Sequence, residues 1–312
     1  MSKTQLAEVF QSLHNPKNIL VNLDDIKQIL FKCGMEEYMK KHRISLKNWD
    51  LELFRRAFTH ISYSSHRQKR FPKTAKVIER EEPGINPEEC VQVREDSMER
   101  LEWLGDGVLQ SVVAVYLWKR FPGQDEGFYT KTRSKLVKTE AFGKFGEYLG
   151  LHKYILVSYY AEHYNNARLS LKNMEDCFEA FIGALFLQTE ERFQYSFVKE
   201  LVIRIIEKVV DLPMLILIDH NYKDQLTHYF NKRFEGKKVT YEEVSAVETY
   251  EEQNGFKVKK NIYTMEVKDS NGKQIGVGIS SKSKQEAQQN AAKEACRLFG
   301  LPVFDRINPF LV

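Results

Sequence analysis

The sequence has few cysteines, few prolines and no marked excess of charge of either sign. Its 312 residues include 4 cysteines, far apart in the chain, and 8 prolines. Without a CxxC pair or a closely spaced set, neither a zinc site nor a disulfide framework is indicated, and a reducing compartment is expected. Lysine and arginine number 47 against 43 acidic residues, so net charge does not argue for a nucleic-acid partner.

Long apolar runs are also absent. The most apolar stretches, at residues 112–118 and 212–218, are far shorter than a membrane span, and the N-terminus lacks a signal-peptide core. We therefore expect an intracellular protein, cytoplasmic or nuclear, with no membrane partner. There is no glycine-rich phosphate loop, so we expect no nucleotide cofactor, and no HExxH pair that would indicate a histidine metal site.

The first two hundred residues have the pattern of helices. Leucine, isoleucine and phenylalanine recur at helical spacing in residues 24–38 and 51–59. A charged, proline-containing stretch at 67–96 interrupts this pattern, and we interpret it as a long loop or insertion. Helical spacing resumes at Ser97 and ends near residue 212, so this part is predicted to be almost wholly helical.

The pattern changes after His220. One helix (222–234) precedes three alternating segments, VTYEEV, IYTMEV and QIGVGI, and a final helix (284–299) follows. Alternation places Tyr263, Met265 and Val267 on one face of the second strand, and Ile275, Val277 and Ile279 on one face of the third. Asn271-Gly272 between these strands predicts a type I′ turn. The predicted order is α-β-β-β-α.

Three carboxylates share one face of a predicted helix. Glu99, Glu102 and Asp106 lie at i, i+3 and i+7. An amphipathic helix with a solvated acidic face would have the same spacing. After Asp106, however, the sequence GVLQSVVAVYLW is apolar nearly all round, which is typical of a core helix.

A second apolar helix, MEDCFEAFIGALFLQ, carries Asp176 and Glu179 three residues apart. Buried carboxylates need a partner cation or must become neutral, and we find no matching set of basic residues on these helices. Oxygen-only ligands favour hard ions such as Mg²⁺, with Mn²⁺ as a substitute. Such a site is suited to phosphodiester hydrolysis, because a bound metal lowers the pKa of water and stabilises charge on phosphate.

The segment ERLEWLGDGVL (99–109) closely resembles the signature of the ribonuclease III family, with Trp103 where phenylalanine is usual. FPGQDEG, EDCFEAFIGAL and AFTHISY resemble further family segments. The resemblance implies a dimeric nuclease with two active sites in one cleft, and products with 5′-phosphate and 3′-hydroxyl ends and a short 3′ overhang. It implies Glu102, Asp106, Asp176 and Glu179 as metal ligands, Glu99 and Glu126 as supporting acids, and Trp103 at the subunit interface.

Two basic segments are candidates for RNA contact. The run GISSKSKQEAQQNAAKEA resembles the last helix of a double-stranded-RNA-binding domain, which implies phosphate contacts from Lys282, Ser283 and Lys284. Ser283 and Glu286 also suit a capping box. Lys131, Arg133 and Lys135 lie in a segment that, in the family, is near the RNA. For both groups, the alternative is that they are ordinary solvated surface residues that make no contact with RNA.

The C-terminal module departs from its family at several positions. Gln285 and Gln288 replace basic residues, and His228 stands where glutamate is frequent. The segment AVETYEEQNGFKVKKN, taken as a loop, lacks the Gly-Pro-x-His that reaches a minor groove in the family. Fewer phosphate contacts predict weaker, less salt-sensitive binding of duplex RNA.

The predicted fold class is an all-α ribonuclease III domain followed by a small α+β double-stranded-RNA-binding domain. The predicted parts are an N-terminal extension (1–19), the nuclease domain (20–212, with the insertion 67–96), a linker (213–219), the RNA-binding domain (220–300) and a tail (301–312). The leading hypothesis is a Mg²⁺-dependent endoribonuclease for double-stranded RNA. Two alternatives are a protein that sequesters duplex RNA with little cleavage and a structural RNA-binding subunit without chemistry.

Overall fold

The computed structural model describes residues 7–65, 75–79, 82–234, 236–253, 256–305 and 307–311. The chain forms two compact units. Unit 1 contains Met1–Leu215 and Pro309–Val312, and unit 2 contains Ile216–Asn308. None of the helices in the described part of the chain is long and apolar enough to cross a membrane. All four cysteines are buried, and none of them forms a disulfide bond.

Unit 1 is mainly helical. Its elements are β1 (Ala7–Gln11), α1 (Leu23–Lys32), α2 (Met35–His42), α3 (Leu51–Ala57), β2 (Ala75–Glu79), α4 (Glu99–Arg120), α5 (Glu126–Leu136), α6 (Thr139–Leu149), α7 (Tyr159–Asn165), α8 (Leu171–Gln188) and α9 (Gln194–Val209). A further short helix, α10 (Leu212–Leu217), follows α9. The helical pattern at 24–38 divides into α1 and α2 at Gly34, whose φ of 71° is unfavourable for residues with a Cβ.

The helix α8 lies at the centre of the core of unit 1. Every residue from Cys177 to Leu185 is buried, and α3, α4, α6 and α9 all pack against this helix. This explains why its sequence is apolar on all sides apart from the acids near its start.

The prediction that the first two hundred residues are almost wholly helical, with a loop at 67–96, is wrong in one place. Within that insertion, β2 pairs in parallel with β1 from the N-terminal extension, with Val9 opposite Val77. A five-residue strand such as β2 forms its backbone hydrogen bonds with a segment that is far away in the sequence. The spacing of residues within the strand does not reveal that partner. Residues 1–6, 66–74, 80 and 81 lie outside the described residues.

A buried polar network ties residues 15–18 to the segment that precedes α8. Arg168 forms a 2.8 Å ion pair with Glu162 and donates a 2.9 Å hydrogen bond to Asn18 Oδ1. Asn15 donates to the Val157 carbonyl oxygen and to Glu162 Oε2, the same oxygen that Arg168 contacts. These partners satisfy polar groups that would be costly to bury alone.

The last residues of the chain complete unit 1. Phe310 is 4% exposed, belongs to the apolar core of this unit and forms an antiparallel bridge with Val210. Hydrogen bonds of 2.8 Å join Asp211 N to the Pro309 carbonyl oxygen and Leu311 N to the Val209 carbonyl oxygen. The end of the chain is therefore a structural part of the helical unit.

Unit 2 confirms the predicted α-β-β-β-α order. Its elements are α11 (Tyr222–Arg233), β3 (Thr240–Gln253), β4 (Phe256–Lys268), β5 (Gln274–Ser280) and α12 (Lys284–Leu298), and the sheet is antiparallel in the order β3-β4-β5. The first two strands are longer than predicted, because most of the segment taken as a loop is paired strand. Thr249 opposite Lys260 is one of its pairs.

The predicted face of the third strand is wrong. Val277 and Ile279 are 36% and 59% exposed, whereas Ile275 is 6% exposed and Gly278 is buried. Glycine is required because a Cβ on Gly278 would lie 2.1 Å from the Ala291 nitrogen of α12. A register shift beside Gly276 lets Ile275 also point inward.

The predicted type I′ turn is also wrong. Gly272 has a φ of 78°, but in the described residues the only non-glycine positions with positive φ are Arg43 and Asn166, so Asn271 is not in the left-handed region. The Asp269 carboxylate organises a longer turn instead, because its Oδ1 accepts from Asn271 N at 2.9 Å and Lys273 N at 3.0 Å.

Candidate metal centre

Two helices of unit 1 cross at unusually short distance. A Cβ on Gly105 of α4 would lie 1.8 Å from the Glu179 carbonyl oxygen of α8, and one on Gly183 would lie 2.3 Å from the Leu101 carbonyl oxygen. Only glycine at both positions permits this approach. The crossing brings the acidic faces of α4 and α8 together.

Three of the predicted metal ligands converge at this crossing. Glu102, Asp176 and Glu179 each place a carboxylate oxygen within 4.8 Å of the other two. Asp106, one turn further along α4, lines the same cleft, and its Oδ1 accepts a 3.1 Å hydrogen bond from Gln110. The cleft has a volume of about 450 Å³ and is lined by Glu99, Glu102, Trp103, Asp106, Val137, Lys172, Glu175 and Glu179.

The electrostatics of the cleft indicate an excess of negative charge. Glu179 is 6% exposed. Burial, together with the charges of Glu175, Asp106 and Glu102, raises the pKa of Glu179 from 4.5 to about 8. A bound cation would allow this carboxyl group to ionise at neutral pH. The donor set consists of carboxylate oxygens, which fits a hard divalent ion.

Two charged residues of the cleft, Lys172 and Glu175, were not predicted. Lys172 Nζ lies 2.6 Å from Asp176 Oδ1 and 2.9 Å from Glu175 Oε2, and Glu175 is 7% exposed. The expectation of no matching cation on these helices is therefore incomplete, because Lys172 neutralises part of the charge. The spacing of Lys172 from the two acids, i+3 and i+4, is the sequence signal that identifies this contact.

The helix α4 is less buried than its sequence predicts. Its inner face includes Leu109 and Val112, which are fully buried, but Trp103 is 80% exposed and Trp118 is 68% exposed. The prediction that the segment after Asp106 is a core helix is thus wrong at Trp118, whereas Trp103 lies before that segment. Two large exposed aromatic side chains on one helix are unusual for a surface that remains in water.

Glu126 is the first residue of α5 and is exposed. Its carboxylate accepts a 2.8 Å hydrogen bond from Thr130, and it is not among the residues that line the cleft. Further along α5, Lys131 and Arg133 are exposed, whereas Lys135 donates a 2.8 Å hydrogen bond to the Leu215 carbonyl oxygen.

In unit 2, the predicted RNA-binding residues lie at the start of α12. Ser283 is the N-cap and accepts a 3.1 Å hydrogen bond from Glu286 N, which is half of the predicted capping box. The Glu286 side chain instead contacts Ser280 and Lys282. The Lys282 and Lys284 side chains are 81% and 56% exposed.

Two family models match the chain. The Ribonuclease III domain matches residues 99–190, and the Double-stranded RNA binding motif matches residues 222–298. The first range contains the four predicted metal ligands, and the second contains all elements of unit 2.

Known proteins with the name ribonuclease 3 are similar to this chain along most of its length. "Ribonuclease 3" of Nitratiruptor sp. is 30% identical over 264 residues, which cover 85% of this chain and 96% of that protein. "Probable ribonuclease 3" of Acanthamoeba polyphaga mimivirus is 27% identical over 299 residues, and the chain spans about half of its length, 47%. A solved nuclease domain of ribonuclease III from Campylobacter jejuni has 30% identity and a TM-score of 0.38, covering 56% of this chain and 96% of that domain.

Proposed function

Because the chain belongs to the ribonuclease III family of endoribonucleases, we propose that it hydrolyses double-stranded RNA at the crossing of α4 and α8. The observation that supports this most directly is the convergence of Glu102, Asp176 and Glu179 within 4.8 Å in an open cleft. A long duplex carries its scissile phosphates on its surface, so an open acidic cleft that holds cations suits this substrate.

The proposed cofactor is Mg²⁺, with Mn²⁺ as a substitute. Glu102, Asp176 and Glu179 would hold the ion, with Asp106 as a fourth ligand and Glu99 and Glu126 as supporting acids. When bound, the ion supplies an activated water and neutralises charge on the phosphate. The carboxylates would fix the position of the ion, and burial of Glu179 limits the access of bulk water that would screen the attraction between the ion and this carboxylate.

Lys172 has a separate proposed role in this cleft. It lies between Asp176 and Glu175, so it balances part of the acidic charge in the absence of a divalent ion. An ion bound at Asp176 would compete with the Lys172 ammonium group for the Asp176 carboxylate. The ammonium group would then remain paired with Glu175. Lys172 therefore stays beside the site where phosphate charge must be neutralised.

Unit 2 is proposed to hold the duplex. Exposed lysines at the start of α12, Lys282 and Lys284, would contact phosphates together with Ser283, as the match to the RNA-binding motif implies. On unit 1, Lys131 and Arg133 are proposed as further phosphate contacts. Lys135 is a weaker candidate, because its ammonium group already donates to a backbone carbonyl group.

We further propose a homodimer through the face of α4 that carries Trp103. An 80% exposed tryptophan beside the cleft is a candidate anchor for a partner surface. Two cleavage sites in one dimer, one for each strand, would yield a short 3′ overhang, and hydrolysis that breaks the bond from phosphorus to the 3′ oxygen would leave 5′-phosphate and 3′-hydroxyl ends. Sedimentation of Trp103→Arg tests this: a shift from dimer to monomer supports the interface, and an unchanged dimer contradicts it.

The enzyme proposal is tested with purified protein and long duplex RNA in Mg²⁺, in Mn²⁺ and in EDTA. We expect metal-dependent cutting to short duplexes, with ends that sequencing identifies as 5′-phosphate. Asp106→Asn and Glu179→Gln should abolish cutting. The matched control Glu140→Gln, an exposed acid on α6, should leave it intact.

Binding of duplex RNA without cutting in either metal would reject the enzyme proposal. In that case the sequestration hypothesis would replace it. Cutting that survives both Asp106→Asn and Glu179→Gln would instead reject the assignment of the site while leaving the activity.

A further inference from the structure

The N-terminus of α12, where unit 2 is proposed to bind phosphate, already holds a carboxylate of the same chain. Glu243 of β3 forms a 2.5 Å ion pair with Lys284 Nζ. The second lysine there, Lys282, donates to Glu286 at 3.3 Å. Lys282 and Lys284, the two lysines of unit 2 that are proposed for RNA contact, therefore each have an acidic partner within unit 2.

The sheet directs the Glu243 side chain toward this place. In the antiparallel register Glu243 lies opposite Met265, and Met265 lies opposite Gly278, which packs against α12. Residues directly opposite one another point to the same face of a sheet, so Glu243 points to the helix side. Lys284 also lies 5.7 Å from the ring centroid of Tyr263, which is on that same face.

A β-bulge follows immediately after Glu243. The register shifts between Glu243 and Ser245, so Val244 is an extra residue and is 56% exposed. Bulges change the direction of side chains next to them and are frequent near functional sites. The neighbouring acid, Glu242, points to the opposite face, where it pairs with Lys268 at 2.6 Å.

We propose that Glu243 is an internal competitor of the RNA phosphate at Lys284 and thereby limits the affinity of unit 2 for duplex RNA. This inference rests on the proposed function of α12 as a phosphate-binding helix. A phosphate oxygen and the Glu243 carboxylate need the same ammonium protons, so RNA must displace Glu243 before it contacts Lys284. The carboxylate also repels an approaching phosphate.

The size of the effect follows from the exposure of the pair. The Lys284 and Glu243 side chains are 56% and 36% exposed, so water already weakens their attraction. Displacing such a pair corresponds to about a two- to fivefold change in affinity. In the native protein the displaced Glu243 carboxylate takes up a counterion when RNA contacts Lys284. Without Glu243, the logarithm of the binding constant should therefore fall more steeply with the logarithm of salt concentration, by up to about 0.9.

The experiment measures binding of the full chain to a blunt RNA duplex in EDTA, at several salt concentrations. Glu243→Gln is expected to bind about two- to fivefold more tightly and with a steeper salt dependence. The matched control is Glu242→Gln, which removes the same charge from the adjacent residue on the other face, where Lys268 keeps its 2.8 Å ion pair with Glu266. Glu242→Gln should change the affinity and the salt dependence only by the small amount expected from removing one negative charge. Thermal melting checks that each variant is folded.

Two further variants separate this inference from the proposed RNA site. Lys284→Gln should weaken binding, and adding Glu243→Gln to it should raise affinity no more than Glu242→Gln does in the native protein. If Lys284→Gln weakens binding but Glu243→Gln has no more effect than Glu242→Gln, the competitor inference is overturned and the RNA site stands. If Lys284→Gln leaves binding unchanged, the RNA site at α12 is overturned, and the inference fails with it.

Discussion

Gly105 of α4 lies so close to Glu179 of α8 that a Cβ on Gly105 would be 1.8 Å from the Glu179 carbonyl oxygen. The same two helices carry the carboxylates that converge in the cleft. The distance between the acidic faces is thus set by a residue without a side chain. Any residue with a Cβ at this position must separate the helices and therefore the proposed ligands.

Gly105→Ala is the first prediction. The clash is with backbone, which cannot move aside as a side chain does, so we expect a loss of about 3 kcal/mol or more in the free energy of unfolding. Metal binding should weaken in parallel. Gly107→Ala is the control, because nothing lies within 4 Å of a Cβ there and alanine favours a helix by about 1 kcal/mol. Equal stability of the two variants would contradict the prediction; chemical denaturation measures it.

The second prediction concerns pH. The pKa of Glu179 is raised to about 8, so between pH 4.5 and about 8 the folded chain keeps a proton that the unfolded chain releases. Stability in EDTA should therefore fall as pH rises through this range, by up to about 1.4 kcal/mol per pH unit. Glu179→Gln should remove this slope, since glutamine does not titrate. Denaturant titrations at several pH values measure it.

The control for the pH prediction is Glu147→Gln, an exposed acid on α6, which should retain the slope of the native protein. Parallel curves for the native protein and Glu179→Gln would mean that Glu179 does not hold the proton. Below pH 8, addition of Mg²⁺ should release protons, which calorimetry in two buffers of different ionisation enthalpy detects.

The third prediction concerns the buried network around Arg168. Burial would raise the pKa of Glu162, but hydrogen bonds from Arg168 and Asn15 outweigh it and lower that pKa. This contribution to stability is complete above about pH 4.5 and is lost as pH falls through the lowered pKa. Arg168→Met leaves the Glu162 carboxylate with only the 3.8 Å ion pair to the exposed Lys17, so we expect a loss of about 3 kcal/mol.

Arg192→Met provides the comparison for the network. Its ion pair with Glu190 has side chains that are 72% and 63% exposed, so the loss should be under about 1 kcal/mol. Thermal unfolding at pH 7 compares the two variants. A similar small loss for Arg168→Met would show that the network adds little to stability.

The fourth prediction concerns the end of the chain. Phe310 is 4% exposed within the core of unit 1, so Phe310→Ala should lower the stability of that unit by about 3 kcal/mol. Leu311→Ala is the control, because Leu311 is 64% exposed and should change stability by under about 0.5 kcal/mol. Differential scanning calorimetry follows the unfolding of the units. No change in the transition of unit 1 would contradict the contribution of Phe310 to its core.

Much of the candidate site was predictable because its signals are local. Helical spacing places Glu102 near Asp106, and Asp176 near Glu179, whatever the rest of the chain does. The exposure of Val277 and the inward position of Ile275 were not predictable in this way. They depend on a register shift beside Gly276 and on how closely α12 approaches Gly278.

The sequence by itself determined the helices, the order of elements in unit 2 and the acids that each helix presents, since these depend on residues within about one turn of one another. Tertiary structure alone decided how closely the acids of the two helices meet. The crossing at Gly105 and Gly183, the bridge between Val210 and Phe310, and the pairing of Glu243 with Lys284 join residues far apart in the chain. Such contacts depend on packing and strand register, which no local pattern encodes.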